Sequence, residues 1–245
     1  ISTNVQLLLA QEQLSEYIGS YQNKLAVLRS DFNFQKPYPA ELNDWLSLAQ
    51  QKNLKIQQAR LQQKYSEDQR RVEKAALYPQ IDAVASYGYT KQTPETLIST
   101  DGKFDQVGVE MNWNLFNGGR TRTSIKKATV EASKAQAQLD AAIRRANVDV
   151  KSAFMQVDTD QAKLEARKAA MDSSSLVSQA SKASYNEGLK SMVDVLLAQR
   201  NAFSAKQDYL NAQYDYLLNV LRLKAAVGQL GEKDLVELNS WLTYQ

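Results

Sequence analysis

The stretch VGVEMNWNLFNGGRTRTSIKKA, residues 107–128, changes its periodicity at its centre. Up to Leu115 it alternates. Val107, Val109, Met111, Trp113 and Leu115 fall on one side of a strand, and Gly108, Glu110, Asn112 and Asn114 on the other. Alternation stops at Gly118 and Gly119, and from Arg120 to Glu187 neither glycine nor proline occurs. Alanine and straight-chain residues dominate that tract, which is the composition of a helix. Fully helical, it is about 100 Å long at 1.5 Å per residue. A compact chain of this length has a radius of gyration of only ~18 Å, so the tract predicts an elongated molecule. Gly118 and Gly119 sit where strand must turn into helix, because glycine reaches positive φ without a Cβ clash. Thr121 or Thr123 is placed to cap the helix.

Within the tract, Ile125, Ala128, Ala132, Ala135, Leu139, Ala142 and Ala146 recur at alternating spacings of 3 and 4, a coiled-coil seam. An alanine-rich bundle has the same spacing. Upstream, QIDAVASYGYT (80–90) alternates as well, with Ile81, Ala83, Ala85, Tyr87 and Tyr89 opposite Asp82, Ser86, Gly88 and Thr90. The region 79–117 thus reads as a β-hairpin with strands at about 80–90 and 104–116, joined by the polar loop KQTPETLISTDGK. Each strand has the ~9–11 residues that a tilted membrane strand needs. A hairpin packed on helices is the alternative. A helix of ~100 Å has little face to spare for covering a hairpin, so lipid is the better apolar neighbour. Val107, Val109, Met111, Trp113 and Leu115 then face the membrane, and Asp82, Glu110 and Asn112 line a pore. Two strands cannot close a barrel, and open edges are not viable in lipid, so other copies or chains must complete it.

Beyond the long tract, YNEGLKSMVDVLLAQR (185–200) places one glycine before a second tract, 189–227, free of Gly and Pro. Residues 188–191 read as a tip turn and 192–228 as a return helix. Ser191 is a candidate N-cap, with Asp194 three residues on completing a capping box. Towards the N-terminus, 41–78 reads as one helix, entered through the KPYP turn of a 31–40 linker and ended before Pro79. LSEYIGSYQNKLAVL, from Leu14, aligns with LKAAVGQLGEKDLVEL, from Leu223, pairing Gly19 with Gly228 at a separation of 209 residues. Both read as helix, glycine stop and short second helix. Residues 1–30 are accordingly the expected tail of a truncated first repeat, with 229–245 its counterpart. The opening already reads as mid-helix, which predicts a segment upstream.

Of the 245 residues 43% are apolar, and 30 basic against 27 acidic side chains leave a net charge of +3, with the two signs interleaved. That distribution argues against a nucleic-acid partner. The chain has neither cysteine nor histidine, so thiolate nucleophiles, imidazole bases and the usual zinc or haem ligand sets are unavailable. Neither an enzyme nor a cofactor or metal site is expected. The double glycine lacks the GxxxxGK[ST] spacing of a phosphate loop. Arg120, Arg122, Lys126 and Lys127 suit lipid head groups instead.

ALYPQIDAVASYGY (76–89), VGVEMNWNLFNGGRTRTSIKKA and YNEGLKSMVDVLLAQRNAFSAKQDYLNAQYDYLLNVLRLKAAVGQL together resemble the TolC family of bacterial outer-membrane efflux channels. The resemblance implies a mainly α fold of long antiparallel coiled-coil helices with one membrane β-hairpin. In a homotrimer with two repeats per chain it closes an α-barrel below a twelve-stranded β-barrel. It further implies a passive conduit from periplasm to outer membrane, served by a periplasmic adaptor and an inner-membrane transporter. At the tip it implies a gate, with Tyr185 and Lys190 tying neighbouring coiled coils and Asp194 in an aspartate ring. Lys190 stands in place of the family's arginine, and Leu197 where a second aspartate is expected. Gly188, Leu189, Lys190 and Ser191 would meet the adaptor. Opening would be an untwisting of the coiled coils about the Gly188 turn.

Overall fold

A computed structural model describes residues 2–20, 25–29, 37–92 and 100–243. The chain divides into two compact units, Ile1–Asn53 with Asn147–Gln245, and Leu54–Ala146. In order the elements are α1 (Ser2–Ile18), β1 (Val27–Leu28), α2 (Leu42–Lys52), α3 (Leu54–Ala75), β2 (Gln80–Gln92), β3 (Thr100–Asn112), α4 (Arg120–Asn186), α5 (Met192–Val227), α6 (Glu232–Ser240) and β4 (Leu242–Thr243). The 67 residues of α4 run through both units. The mainly α reading holds, and no described helix is long and apolar enough to cross a membrane.

The core of the first unit joins three helices: Trp45 and Ala49 of α2, Val150 and Val157 of α4, and Tyr216, Leu223 and Val227 of α5. Trp45 is fully buried, and its indole Nε1 donates to the Pro39 carbonyl at 2.7 Å, so its single polar atom is satisfied. The expected helix over 41–78 is two helices, broken at Asn53, whose backbone is extended (φ −62°, ψ 122°). Asn53 N–H still bonds to the Ala49 carbonyl and closes α2. Its side-chain Nδ2 then donates to the Ala226 carbonyl at 2.6 Å. An Asn side chain that competes for backbone partners is how a helix is interrupted without proline or glycine.

The two glycine stops are both left-handed, Gly19 at φ +74° and Gly228 at φ +82°. The segments after them, expected to be alike, differ. Helix α6 comes after Gly228, but the described residues after Gly19 hold strand β1, paired antiparallel with β4 as Val27↔Thr243 and Leu28↔Leu242. Leu28 N–H also donates to the Tyr214 hydroxyl at 3.3 Å. Residues 21–24, within the segment after Gly19, and most of the 31–40 linker lie outside the described residues, as does loop 93–99.

In the second unit β2 and β3 pair antiparallel from Gln80↔Asn112 to Gln92↔Thr100. The second strand ends at Asn112 rather than near 116, so Trp113 and Leu115 lie beyond it. The register leaves them no ladder partner: Asn112 already faces Gln80, and Pro79, the next residue on the other side, has no N–H to give. Along α4 the seam is buried as its spacing predicts, with Ala128, Ala132, Ala135 and Ala146 inside and Ile125, Leu139 and Ala142 half-buried. It continues through Val150, Val157, Asp160, Leu164 and Ser181.

Candidate functional site

The tip turn is built by two helix-end devices back to back. α4 closes on Gly188 at φ +76°, where Gly188 N–H bonds to the Tyr185 carbonyl at 2.9 Å and Leu189 N–H to the Ser184 carbonyl at 2.9 Å. That pair of bonds is a Schellman motif, which satisfies carbonyls the helix end would otherwise strand. α5 then starts on Ser191, whose hydroxyl accepts from Asp194 N–H at 3.2 Å while Asp194 Oδ2 accepts from Ser191 N–H at 3.0 Å. The capping box is complete. Asp194 is exposed, and the Ser191 side chain and amide, with Lys190 nearby, hold its carboxyl below the ordinary aspartate value. A depressed folded pKa means the cap's stabilisation is present above the ordinary aspartate range and drains away as pH falls through the lower folded value. Ser191→Ala should move the Asp194 titration midpoint upward, read from its side-chain carboxyl 13C shift; an unmoved midpoint would reject this cause.

Lys190 Nζ donates to Ser181 Oγ at 3.0 Å, so within the chain the lysine is folded back onto α4, and Ser181 is buried beneath it. Tyr185 is half-exposed on the last turn of α4 and Leu189 is 79% exposed at the apex. Leu197 lies one turn beyond Asp194 on α5, half-exposed. The turn thus gathers Gly188, Leu189, Lys190, Ser191 and Asp194, with Tyr185 and Leu197 flanking it.

The β-hairpin sorts its side chains by chemistry. Ile81 faces Met111, Ala83 faces Val109 and Ala85 faces Val107, while Asp82 faces Glu110 and Gln80 faces Asn112 on the opposite side. The apolar side is uncovered: Val107, Val109 and Met111 are 88%, 76% and 62% exposed. Beyond Ala85 the same side turns amphipathic, Tyr87 facing Asp105 and Tyr89 facing Lys103, which bounds the apolar band. At its other end Trp113 Nε1 donates to the Leu77 carbonyl at 3.3 Å, and Leu115 stays exposed.

Gly118 and Gly119 both take positive φ, +64° and +85°. Asn117, rather than Thr121 or Thr123, caps α4: its Oδ1 accepts from Thr121 N–H at 3.4 Å, and its amide also meets the Thr121 hydroxyl. Thr123 Oγ1 instead donates to the Gly119 carbonyl at 3.2 Å. α4 starts at Arg120, which makes Thr121 and Thr123 helical residues already, past the position from which a side chain caps.

Sequence reasoning missed a second heptad series. Val148, Met155, Ala162, Ala169, Leu176 and Ala183 recur every seven residues, with Ser152, Thr159, Ala166, Ser173 and Ala180 between them, and all are exposed. These residues lie two positions before and two positions after Val150, Val157 and Leu164, about 160–200° round the helix. α4 therefore carries seams on opposite sides, one of them uncovered. Repeating the 3–4 count at an offset of two would have found it.

A helix of 67 residues, fed from an amphipathic hairpin through a double-glycine turn and returned by a second helix over a capped tip, is the architecture of helical outer-membrane channel subunits. The chain belongs to the outer membrane efflux protein family, whose profile matches residues 45–229. It is 32% identical over 244 residues to outer membrane protein TolC of Escherichia coli strain K12, covering 96% of this chain and 49% of that protein. It is 28% identical over 211 residues to alkaline protease secretion protein AprF of Pseudomonas aeruginosa, covering 86% of this chain and 44% of that protein. The crystal structure of the Campylobacter jejuni CmeC outer membrane channel superposes with a TM-score of 0.71 at 15% identity, covering 90% of this chain and 53% of that one, a likeness of fold. The chain spans about half the length of the curated relatives it matches.

Proposed function

We propose that this chain is the C-terminal repeat of an outer-membrane channel subunit, a passive gated conduit for drugs or proteins with no chemistry of its own. The observation that carries the reading is the uncovered apolar side of the β2–β3 hairpin, together with the two strand edges that flank it, unpaired among the described residues. Lipid satisfies the first and barrel closure by further strands the second. The exposed second seam of α4 calls in the same way for a helix on its other side, as in a closed helical cylinder. The working assembly is a homotrimer of two-repeat chains in the bacterial outer membrane, extending into the periplasm. Its tip engages a periplasmic adaptor, and an inner-membrane transporter supplies the energy. Residues 1–30 are then the end of the first repeat.

Mass and oligomeric state of the full-length parent in detergent test this directly. A stable trimer supports it; a water-soluble monomer overturns it. Asp82 and Glu110, opposed across the ladder, line the lumen in this reading and give it negative charge. Glu110→Lys in the full-length trimer should weaken cation preference in single-channel recordings, and unchanged ion selectivity would remove Glu110 from the lumen. Asp194→Ala should likewise reduce the effect of divalent cations on conductance. A loss of stability with no such change would leave Asp194 as a cap alone.

A further inference from the structure

Asp160 occupies a seam position of α4, 28 residues from Gly188 and so about 42 Å up the helix, and only 2% of it is exposed. Both its carboxyl oxygens are used. Gln156 Nε2 donates to Oδ1 at 2.9 Å, and Asn219 Nδ2, reaching across from α5, donates to Oδ2 at 2.5 Å. Arg222 Nη1 donates to Asn219 Oδ1 at 2.9 Å, which orients the amide so that its NH2 side faces Asp160. The four side chains form one polar chain running through the helix pair.

Its position is a boundary. Away from the tip the α4–α5 contact is the apolar core of Val150, Val157, Tyr216, Leu223 and Val227. Towards the tip Leu164 is the last large apolar residue buried on α4; Met171 is half-buried, Ser174, Ser178 and Ser181 take the inner positions after it, and Val195 and Ala198 of α5 are buried near the turn. Exposed ion pairs, Lys163 with Asp215 and Arg167 with Asp208, decorate that stretch and are worth little in water. The tip itself is tied by the Schellman bonds, the capping box and Lys190, so the turn has little give of its own. A seam of mostly small side chains tolerates slight sliding and rotation, because each alignment packs about as well as the next. A buried carboxyl group does not, since any slip leaves a buried oxygen unpaired.

We propose that Asp160–Asn219 is the pivot of this hairpin: it pins α4 to α5, and the serine-lined stretch between it and the tip bends as a lever while the core side stays fixed. The inference concerns motion within one hairpin and stands whether or not the chain forms a channel. It places the give of the hairpin above the tip rather than at the Gly188 turn.

The chain has no cysteine, so introduced cysteines carry nitroxide labels at chosen sites only. Labels at Lys163 and Asp215 report beside the pivot, and labels at Gln179 and Gln199, which line one groove between the helices nearer the tip, report on the lever. In the full-length protein in detergent, the interspin distance distribution should be narrow at the first pair and broad at the second. Asp160→Leu, which fills the seam but cannot bond, should broaden the first pair to the width of the second. Exchanging the partners, Asp160→Asn with Asn219→Asp, should narrow it again. Equal widths at the two pairs in the unsubstituted hairpin would overturn the pivot, a measurement that needs no variant to fold. So would an unbroadened first pair in Asp160→Leu, or a partner exchange that regains wild-type melting without regaining the narrow distribution.

Discussion

Gly228→Ala should destabilise the full-length protein by about 2–5 kcal/mol, read as a lowered melting temperature. Two costs add at this position. Gly228 holds φ +82°, where a Cβ costs about 1–2 kcal/mol against the following carbonyl. A Cβ there would also stand 2.3 Å from the Lys52 carbonyl oxygen, 2.9 Å from Lys52 C and 3.1 Å from Asn53 Cα. Those are backbone atoms at the end of α2, so no rotamer change relieves the overlap, and ~1–3 kcal/mol of overpacking results. Gly188→Ala is the internal control. Its φ is +76° but nothing lies within 4 Å of the added methyl, so only the conformational cost of about 1–2 kcal/mol applies. Equal shifts for the two variants would show that the approach of Lys52 to Gly228 is not what the glycine is for.

The same corner marks the limit of what is legible in the chain. Gly228 announces a helix stop, because a lone glycine between helix-forming tracts has few other uses. Asn53 announces nothing: QQKNLKIQQ reads as uninterrupted helix, and the break exists because the Asn53 amide finds Ala226, 173 residues away in sequence. Local composition cannot encode a partner at that distance. The tail after Gly19 misleads for a related reason, since Val27 and Leu28 become strand only by pairing with Leu242 and Thr243. Periodicity succeeds where structure is set locally. The alanine seam, the alternation of both strands and the Ser191–Asp194 cap each depend on neighbours a few residues away, and each stands where the spacing places it, save that the second strand stops at Asn112. For the candidate functional residues the division is similar. Asp194 and Gly188 are legible through their local chemistry. Asp160 is not, since an aspartate in a polar-looking stretch, VDTDQAK, signals a solvated face until its partner Asn219 is known.

Trp45→Ala should be the most damaging single truncation in the first unit, at about 3–5 kcal/mol for loss of a fully buried large aromatic. The indole packs with side chains from α4 and α5 as well as α2, so the cavity opens among three helices at once and cannot collapse by moving one. Trp45→Phe separates the parts of that cost. It keeps much of the ring but removes the Nε1–H that bonds to the Pro39 carbonyl at 2.7 Å, so the difference between the two variants separates the packing from that bond, worth about 0.5–1.5 kcal/mol. Hydrogen exchange of the full-length protein distinguishes a local from a global loss. Protection should fall in α2, around Val150–Val157 and around Tyr216–Val227, and persist across the β2–β3 ladder, which belongs to the other unit. Equal loss of protection in the ladder would mean that the two units do not unfold separately. A Trp45→Ala protein that melts with wild-type stability would mean that α2 is not part of what holds α4 against α5.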